Sequence, residues 1–248
     1  MSRGLGDVYK RQIYGINVYP DREHIRKARS YNAVILADAQ GRLSEPYLKQ
    51  RLVPMGEEFL PRRFLPPETA DAAMEWLHEN IGYPRTVDLL RGDRAIVLDA
   101  GEGLRCGPLI CFEGLYADLA RKAVQAGEVD FILHLVNNGW FGRSWEERQC
   151  VASWVFRAVE TRTPFLSCAI GGISCAVAPD GEVFVRLDRV METGVAWGRV
   201  PPRWREPLFM RGGRWIVPVG LGLASVFFLV SAAWTRRRGR DPDTTGSA

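Results

Sequence analysis

This sequence predicts an α/β domain followed by a single membrane-spanning helix, and three observations point there. Apolar runs of strand length alternate with stretches of helical spacing between residues 13 and 187, several closing on Gly-containing turns. From Trp215 to Trp234 there are 20 consecutive residues without a charge, which as a helix at about 1.5 Å per residue span about 30 Å, the thickness of a bilayer's hydrocarbon core. The chain has 248 residues, 46% hydrophobic and 25% charged, enough to bury one sizeable core or to form part of a larger protein.

Taken in order, residues 13–18 and 31–37 read as strands, and Asp38-Ala-Gln-Gly41 as a hairpin turn leading into Arg42 and Leu43. Ala70, Ala73, Met74 and Leu77 fall at helical spacing behind Pro66-Pro67, which predicts a helix over 68–79. Residues 104–110 form an apolar strand in which Pro108 lacks a ladder donor, predicting a bulge or an edge there. A helix over 116–126 stops at Gly127, and a strand over 130–136 follows. Ser144-Trp-Glu-Glu147 fits a capping box opening a helix that runs to about residue 161 and ends ahead of Pro164. Residues 165–169 and 173–178 are strands, the latter turned by Pro179-Asp-Gly181 into 182–187.

At the C-terminal end, Trp215 and Trp234 bracket the uncharged run where amphipathic rings favour the membrane interface, and Arg236, Arg237, Arg238 and Arg240 follow. By the positive-inside tendency the tail faces the cytoplasm and the preceding domain the outer side. Pro218, Gly220 and Gly222 leave a buried core helix as the alternative. Residues 1–12 carry neither an apolar run nor a signal-peptide pattern, and Asp7-Val-Tyr-Lys-Arg-Gln12 reads as translated sequencing adaptor. A non-native or unstructured start over 1–12 is therefore expected, with the natural chain beginning upstream.

Composition excludes several function classes. The net charge is only +4, and the arginine cluster after residue 235 has no interleaved aromatics, so no nucleic-acid partner is expected. His24, His78 and His134 are scattered without metal-ligand spacing to the cysteines; neither a metal nor a cofactor is expected. Five cysteines argue against a fully paired disulfide framework, and Cys106, Cys150, Cys168 and Cys175 read as small apolar residues.

The chemistry concentrates in two segments. Gly107-Pro-Leu-Ile-Cys-Phe-Glu113 runs an apolar strand into a cysteine flanked by a carboxylate, which makes Cys111 either a nucleophile or a small core residue. A thiol reacts as the thiolate and needs a nearby cation, base or dipole to reach that form from a pKa of about 8.5. Lys49, in Tyr47-Leu-Lys-Gln-Arg-Leu-Val-Pro-Met-Gly-Glu57, is the upstream cation.

Together these two segments resemble the Lys and Cys motifs of the nitrilase (carbon–nitrogen hydrolase) superfamily, and most closely its apolipoprotein N-acyltransferases. Asn137-Asn-Gly-Trp-Phe-Gly142, then Gln149, Arg157, Ala158 and Glu160, and Asn32-Ala33 before Asp38-Ala-Gln-Gly41 are similar to further stretches of that family, so the resemblance covers roughly residues 13–236. It implies an incomplete nitrilase-like αββα sandwich over 13–205, a transmembrane helix over 214–235 and a basic cytoplasmic tail over 236–248. The implied activity takes a fatty acyl chain from a phospholipid as a thioester on Cys111 and transfers it to the N-terminal amine of the S-diacylglyceryl-cysteine of a diacylated lipoprotein. The implied place is the bacterial cytoplasmic membrane, with the nitrilase-like domain on its outer side.

By the same resemblance Lys49 stabilises the oxyanion and favours the thiolate, with the Phe112 backbone N–H as second donor. Glu57 and Glu113 hold the lysine and shape the site, or are ordinary polar turn residues. Trp140 and Phe141 line the acyl pocket, or merely pack. The region 68–79 forms mobile loops over the site, or a surface helix. The family's general-base glutamate lies farther upstream than the 48 residues ahead of Lys49 allow, and Glu23 and Glu45 read as solvated, so the chain alone is expected to be inactive. Phe112 stands where the family has Tyr, Asn138-Gly139 where it has Asp-Ala, Cys150 where it has His, and Ile170-Gly171-Gly172 where Asn-Asn-Gly is usual. Two other readings stay open: a membrane-anchored nitrilase-type amidase and a catalytically silent domain.

Overall fold

The structure is a computed structural model that describes residues 12–21, 30–82 and 89–238, in two compact units, Met1–Glu206 and Pro207–Ala248. Residues 1–11, Glu23, His24 and Arg240 lie outside the described residues.

The first unit is built on two sheets. Strands β1 (Gln12–Val18), β2 (Tyr31–Ala37) and β3 (Tyr47–Leu48) form an antiparallel sheet in the order β1-β2-β3. Strands β4 (Leu98–Gly101), β5 (Leu104–Ile110), β6 (Phe131–Asn137), β7 (Phe165–Ile170), β8 (Ser174–Val177) and β9 (Val183–Leu187) form a mixed sheet in chain order. Its centre, β5-β6-β7, is parallel, and its flanks are antiparallel. Parallel neighbours need crossovers. Helix α2 (Ala117–Gln125) joins β5 to β6 and α3 (Glu146–Thr161) joins β6 to β7, both packed on the six-stranded sheet. The earlier helix, α1 (Pro67–Ile81), buries only Ala70 and ends where Gly82 turns left-handed at φ 69°, its N–H returning to the His78 carbonyl.

Apolar alternation explains how the sheets meet. Val34 and Tyr47 of the small sheet pack against Leu98, Cys106, Ile110, Phe131 and Leu133 of the large one in a single buried cluster. On the far side Gly107 lets α2 come close, since a Cβ there meets the Ala123 carbonyl oxygen at 2.9 Å. Pro108 sits in a strand with neighbours on both sides, but β4 pairs with β5 only as far as Cys106. From Gly107 onward β5 is bonded to β6 alone, so Pro108 occupies a local edge without any bulge in the β5–β6 register.

One local expectation fails. The Ser144 hydroxyl accepts only a long 3.3 Å bond from the Glu146 N–H, and Trp145 is the cap residue with no side-chain bond. Glu147 does not close a capping box because its carboxylate is drawn into the interior.

The second unit holds a short helix, α4 (Leu208–Gly212), and α5 (Ile216–Arg238). Within α5, Val217–Thr235 has a mean hydropathy of 1.9 and no burial, so it is long and apolar enough to cross a membrane.

Candidate active site

Parallel α/β sheets place their functional groups beyond the carboxyl ends of their strands. Here those ends are Cys111 after β5, Asn137 closing β6 and Ile170 closing β7. Cys111 begins a short 3-10 turn (Cys111–Leu115) with φ 52°, a left-handed conformation that costs a non-glycine residue of order 1 kcal/mol or more. The same strand-to-turn reversal lifts its sulfur out of the sheet, and Cys111 is half-buried on the wall of a cleft.

Lys49 follows β3 and is fully buried. Its ammonium donates 2.7 Å bonds to both carboxylate oxygens of Glu57, and Glu57 Oε2 also accepts the Val53 N–H at 2.9 Å. The Val53-Pro-Met-Gly-Glu57 turn thus folds the carboxylate back onto the lysine. Burial pushes the Cys111 thiol up, and the Glu57 charge adds to that. The Lys49 charge and the backbone N–H groups of Phe112 and Asn137, which face the sulfur, pull it back.

Glu113 has a different task. It is fully buried, and it accepts from the Ile110 N–H (2.8 Å) and the Tyr47 hydroxyl (2.9 Å) through Oε2, and from the Gln50 (2.6 Å) and Arg51 (3.0 Å) N–H groups through Oε1. Burial raises its pKa against those donors. Glu113 therefore fastens the Cys111 turn to the segment carrying Lys49, and its bonds go to Ile110, Tyr47, Gln50 and Arg51, not to Lys49.

Two supports have no role assigned by the sequence: Arg157 falls in a family-like stretch, and His134 carries no signal at all. His134 on β6 is fully buried, bonded to the Cys111 carbonyl oxygen through Nε2 (2.8 Å) and to Ser167 Oγ through Nδ1 (2.9 Å). A carbonyl only accepts, so Nε2 carries the proton; burial lowers the pKa to about 4, and Nδ1 accepts from the serine. Arg157 on α3 donates to the Leu115 carbonyl at 2.5 Å while paired with Glu160, pinning the far end of the Cys111–Leu115 turn. An isolated histidine in an apolar strand looks like any core residue, so only the fold identifies His134.

The cleft measures about 1560 Å³ and is lined by Cys111, Glu57, Asn137 and apolar residues of both sheets, among them Ile13, Val34 and Leu166. Trp140 and Phe141 also border it, but at 86% and 51% exposure they form its rim, not its floor. Glu45 is exposed and paired with Arg94, away from Cys111's neighbours. Among the described residues no cluster of side chains fits a metal ion.

The carbon-nitrogen hydrolase family profile matches residues 8–206. The chain belongs to the carbon-nitrogen hydrolase family. Among curated relatives of this carbon-nitrogen hydrolase, it is similar to the apolipoprotein N-acyltransferase of Geobacter metallireducens, 36% identical over 54% of this chain and 23% of that protein. That of Azotobacter vinelandii is 30% identical over 88% of this chain and 39% of that protein. The chain thus spans less than two fifths of the length of these relatives. Among solved structures, an amidase from Nesterenkonia sp. AN1, with acrylamide added at its active site cysteine, superposes with a TM-score of 0.56 at 16% identity, covering 85% of this chain and 69% of that one. At that identity the likeness speaks for the nitrilase-like fold alone.

Proposed function

We propose that this carbon-nitrogen hydrolase domain carries the acyl-transfer site of an apolipoprotein N-acyltransferase. It moves a fatty acyl chain from a phospholipid, through a thioester on Cys111, to the N-terminal amine of an S-diacylglyceryl-cysteine. The observation that carries this reading is a half-buried cysteine, polarised by a buried lysine, opening onto an apolar cleft of about 1560 Å³. Drug-sized ligands need about 300–1,000 Å³, so the space suits a lipid chain better than a small amide. The names of the relatives point the same way.

In the first half-reaction the Cys111 thiolate attacks the ester carbonyl and a C–S bond forms. The oxyanion faces the Lys49 ammonium, which spends two of its three N–H donors on Glu57 and keeps one, and the Phe112 N–H. Collapse breaks the C–O bond, and the departing lysophospholipid oxygen takes the proton that the thiol gave up. In the second half-reaction the acceptor amine attacks the thioester carbonyl, the C–S bond breaks, and the amine's proton returns to sulfur. Family resemblance assigns the proton shuttle to a glutamate outside the described residues. Glu57 orients Lys49, Glu113 holds the two motif segments together, and Trp140 and Phe141 guard the cleft mouth.

The same reading gives 13–205 as the catalytic domain on the outer side of the bacterial cytoplasmic membrane, 214–235 as the membrane span and 236–248 as a cytoplasmic tail. The product of the complete gene, incubated with phospholipid and measured by intact mass, gains a hydroxylamine-sensitive acyl adduct that is absent in Cys111→Ser. An adduct surviving that substitution sinks the assignment of the nucleophile.

A further inference from the structure

Asn138 and Glu147 hold an interior contact that the chemistry above leaves unused. Glu147 is 1% exposed, yet it lies in the first turn of α3, where carboxylates are ordinarily solvated. Its Oε2 accepts from Asn138 Nδ2 at 3.2 Å and from the Ile173 N–H at 2.9 Å. A carboxylate only accepts, so the Asn138 amide nitrogen must face it. The pocket exists because residue 172 is glycine: a Cβ there lies 2.5 Å from Glu147 Oε2 and 2.9 Å from the Asn138 Cβ. One carboxylate thus joins three segments, namely the turn after β6, the start of α3 and the β7–β8 turn. A further bond closes the triangle, from the Asn138 N–H to the Ile170 carbonyl at 2.9 Å.

We infer that Glu147 is a positioning residue for the reactive thiol, acting through Asn138 to hold the turn whose Asn137 N–H faces Cys111 and whose Trp140 and Phe141 rim the cleft. Glu147 Oε1 has no donor among the described residues, and Glu147 lines a cavity of about 510 Å³ shared with Arg143, Arg148, Arg186, Asp188, Arg189 and Glu192. The sequence places an amide, not a second carboxylate, opposite Glu147. An aspartate opposite Glu147 sets two buried carboxylates within about 3 Å, an arrangement that cannot hold two charges. The junction therefore accommodates one carboxylate, and here Glu147 supplies it. This reading needs Cys111 as the reactive thiol but not acyl transfer.

The test reads the thiol directly. The 248-residue chain in detergent is treated with a soluble haloacetamide, and Cys111 alkylation is followed by peptide mass spectrometry from pH 6 to pH 10, so that modification of Cys168 is scored separately. The charged and polar groups facing the sulfur are Lys49, Glu57, Cys150 and the Phe112 and Asn137 N–H groups; Asn138→Asp acts on the last, and Glu147→Gln also removes a charge that acts on Cys150. Asn138→Asp is expected to raise the apparent pKa of Cys111 by about one unit, a roughly tenfold slower alkylation at neutral pH. Asn138→Asp combined with Glu147→Gln restores one carboxylate and one amide, and is expected to return the rate to within about twofold of the parent. An Asn138→Asp profile that overlays the parent overturns the proposal, and so does a folded double variant that stays tenfold slow. If Asn138→Asp alone fails to fold, judged by circular dichroism, the double variant decides the matter: folding and a rate within about twofold of the parent support the proposal, and a folded variant that stays tenfold slow overturns it. Failure of acyl transfer with intact thiol coupling overturns only the proposed reaction.

Discussion

His134 is buried, bonded to the Ser167 hydroxyl and the Cys111 carbonyl, and its neutral form holds the carbonyl. Its folded pKa of about 4 lies below the unfolded value near 6.5, so as pH falls the unfolded chain takes up the proton first. Stability is present above pH 6.5 and is lost between 6.5 and 4, approaching about 3 kcal/mol at the low end. Denaturant midpoints measured across that window should fall more steeply for the parent than for His134→Gln, which still donates to the carbonyl. At Cys111 the direction is the reverse of what a ready nucleophile needs, because burial pushes the thiol up. Its reaction should therefore accelerate with rising pH through the alkaline range. Lys49→Gln removes the cation beside the thiol and, on the proposed reaction, an oxyanion donor; thioester formation should fall about 10² to 10³-fold while Cys111 alkylation slows less. Equal losses in the two assays would assign the lysine to the thiol alone. At this scale Lys49, Cys111, Glu57 and Glu113 were legible as motifs, whereas the clamp through Glu113 to Tyr47, Gln50 and Arg51 was not, since no spacing reveals which backbone donors a buried carboxylate will meet.

Strand β5 and the turn after it show what patterning reaches and where it stops. The bounds of β2 and β5 follow from apolar runs with sharp polar or glycine ends, and α1 and α2 from helical spacing. Ser144 and Glu147 have the right spacing for a capping box, yet tertiary contacts with Asn138 and Ile173 outbid the local bond. The left-handed Cys111 was likewise invisible, because nothing but glycine advertises a positive φ. It leads to a prediction that separates conformation from chemistry. Cys111→Gly should unfold at higher denaturant than Cys111→Ala, by about 1 kcal/mol, since glycine adopts that φ without strain. Elsewhere glycine is the poorer choice, so the opposite order would show that the turn relaxes in the variants. Gly107→Ala at the α2 contact should cost about 1–3 kcal/mol, because the obstacle is the Ala123 backbone oxygen and not a side chain that can rotate away.

For the whole molecule, the α/β class, the two-sheet arrangement implied by the family and the apolar helix were all within reach of the sequence. What the sequence withheld was how the two sheets divide the site. The uncharged stretch Val217–Thr235 and the arginines after it lead to a topological expectation. Reporter fusions placed after residue 240 of the complete gene product should be active only with a cytoplasmic reporter; activity of a periplasmic one there would reverse the proposed orientation.

Lys49 follows the small sheet, Cys111 ends a strand of the large one, and the Glu113 hydrogen bonds together with the Val34–Leu133 cluster hold them face to face. A chain in which only the large sheet has formed possesses the thiol without its cation. Acyl transfer, on the proposed reaction, is therefore a late event in folding: nascent or partly opened molecules keep the thiol but lack the Lys49 ammonium that faces the oxyanion. Any condition that parts the sheets silences thioester formation while it uncovers a thiol that burial had pushed up. Loss of thioester formation should thus precede loss of secondary structure as denaturant is raised, with alkylation of the uncovered thiol rising instead of falling.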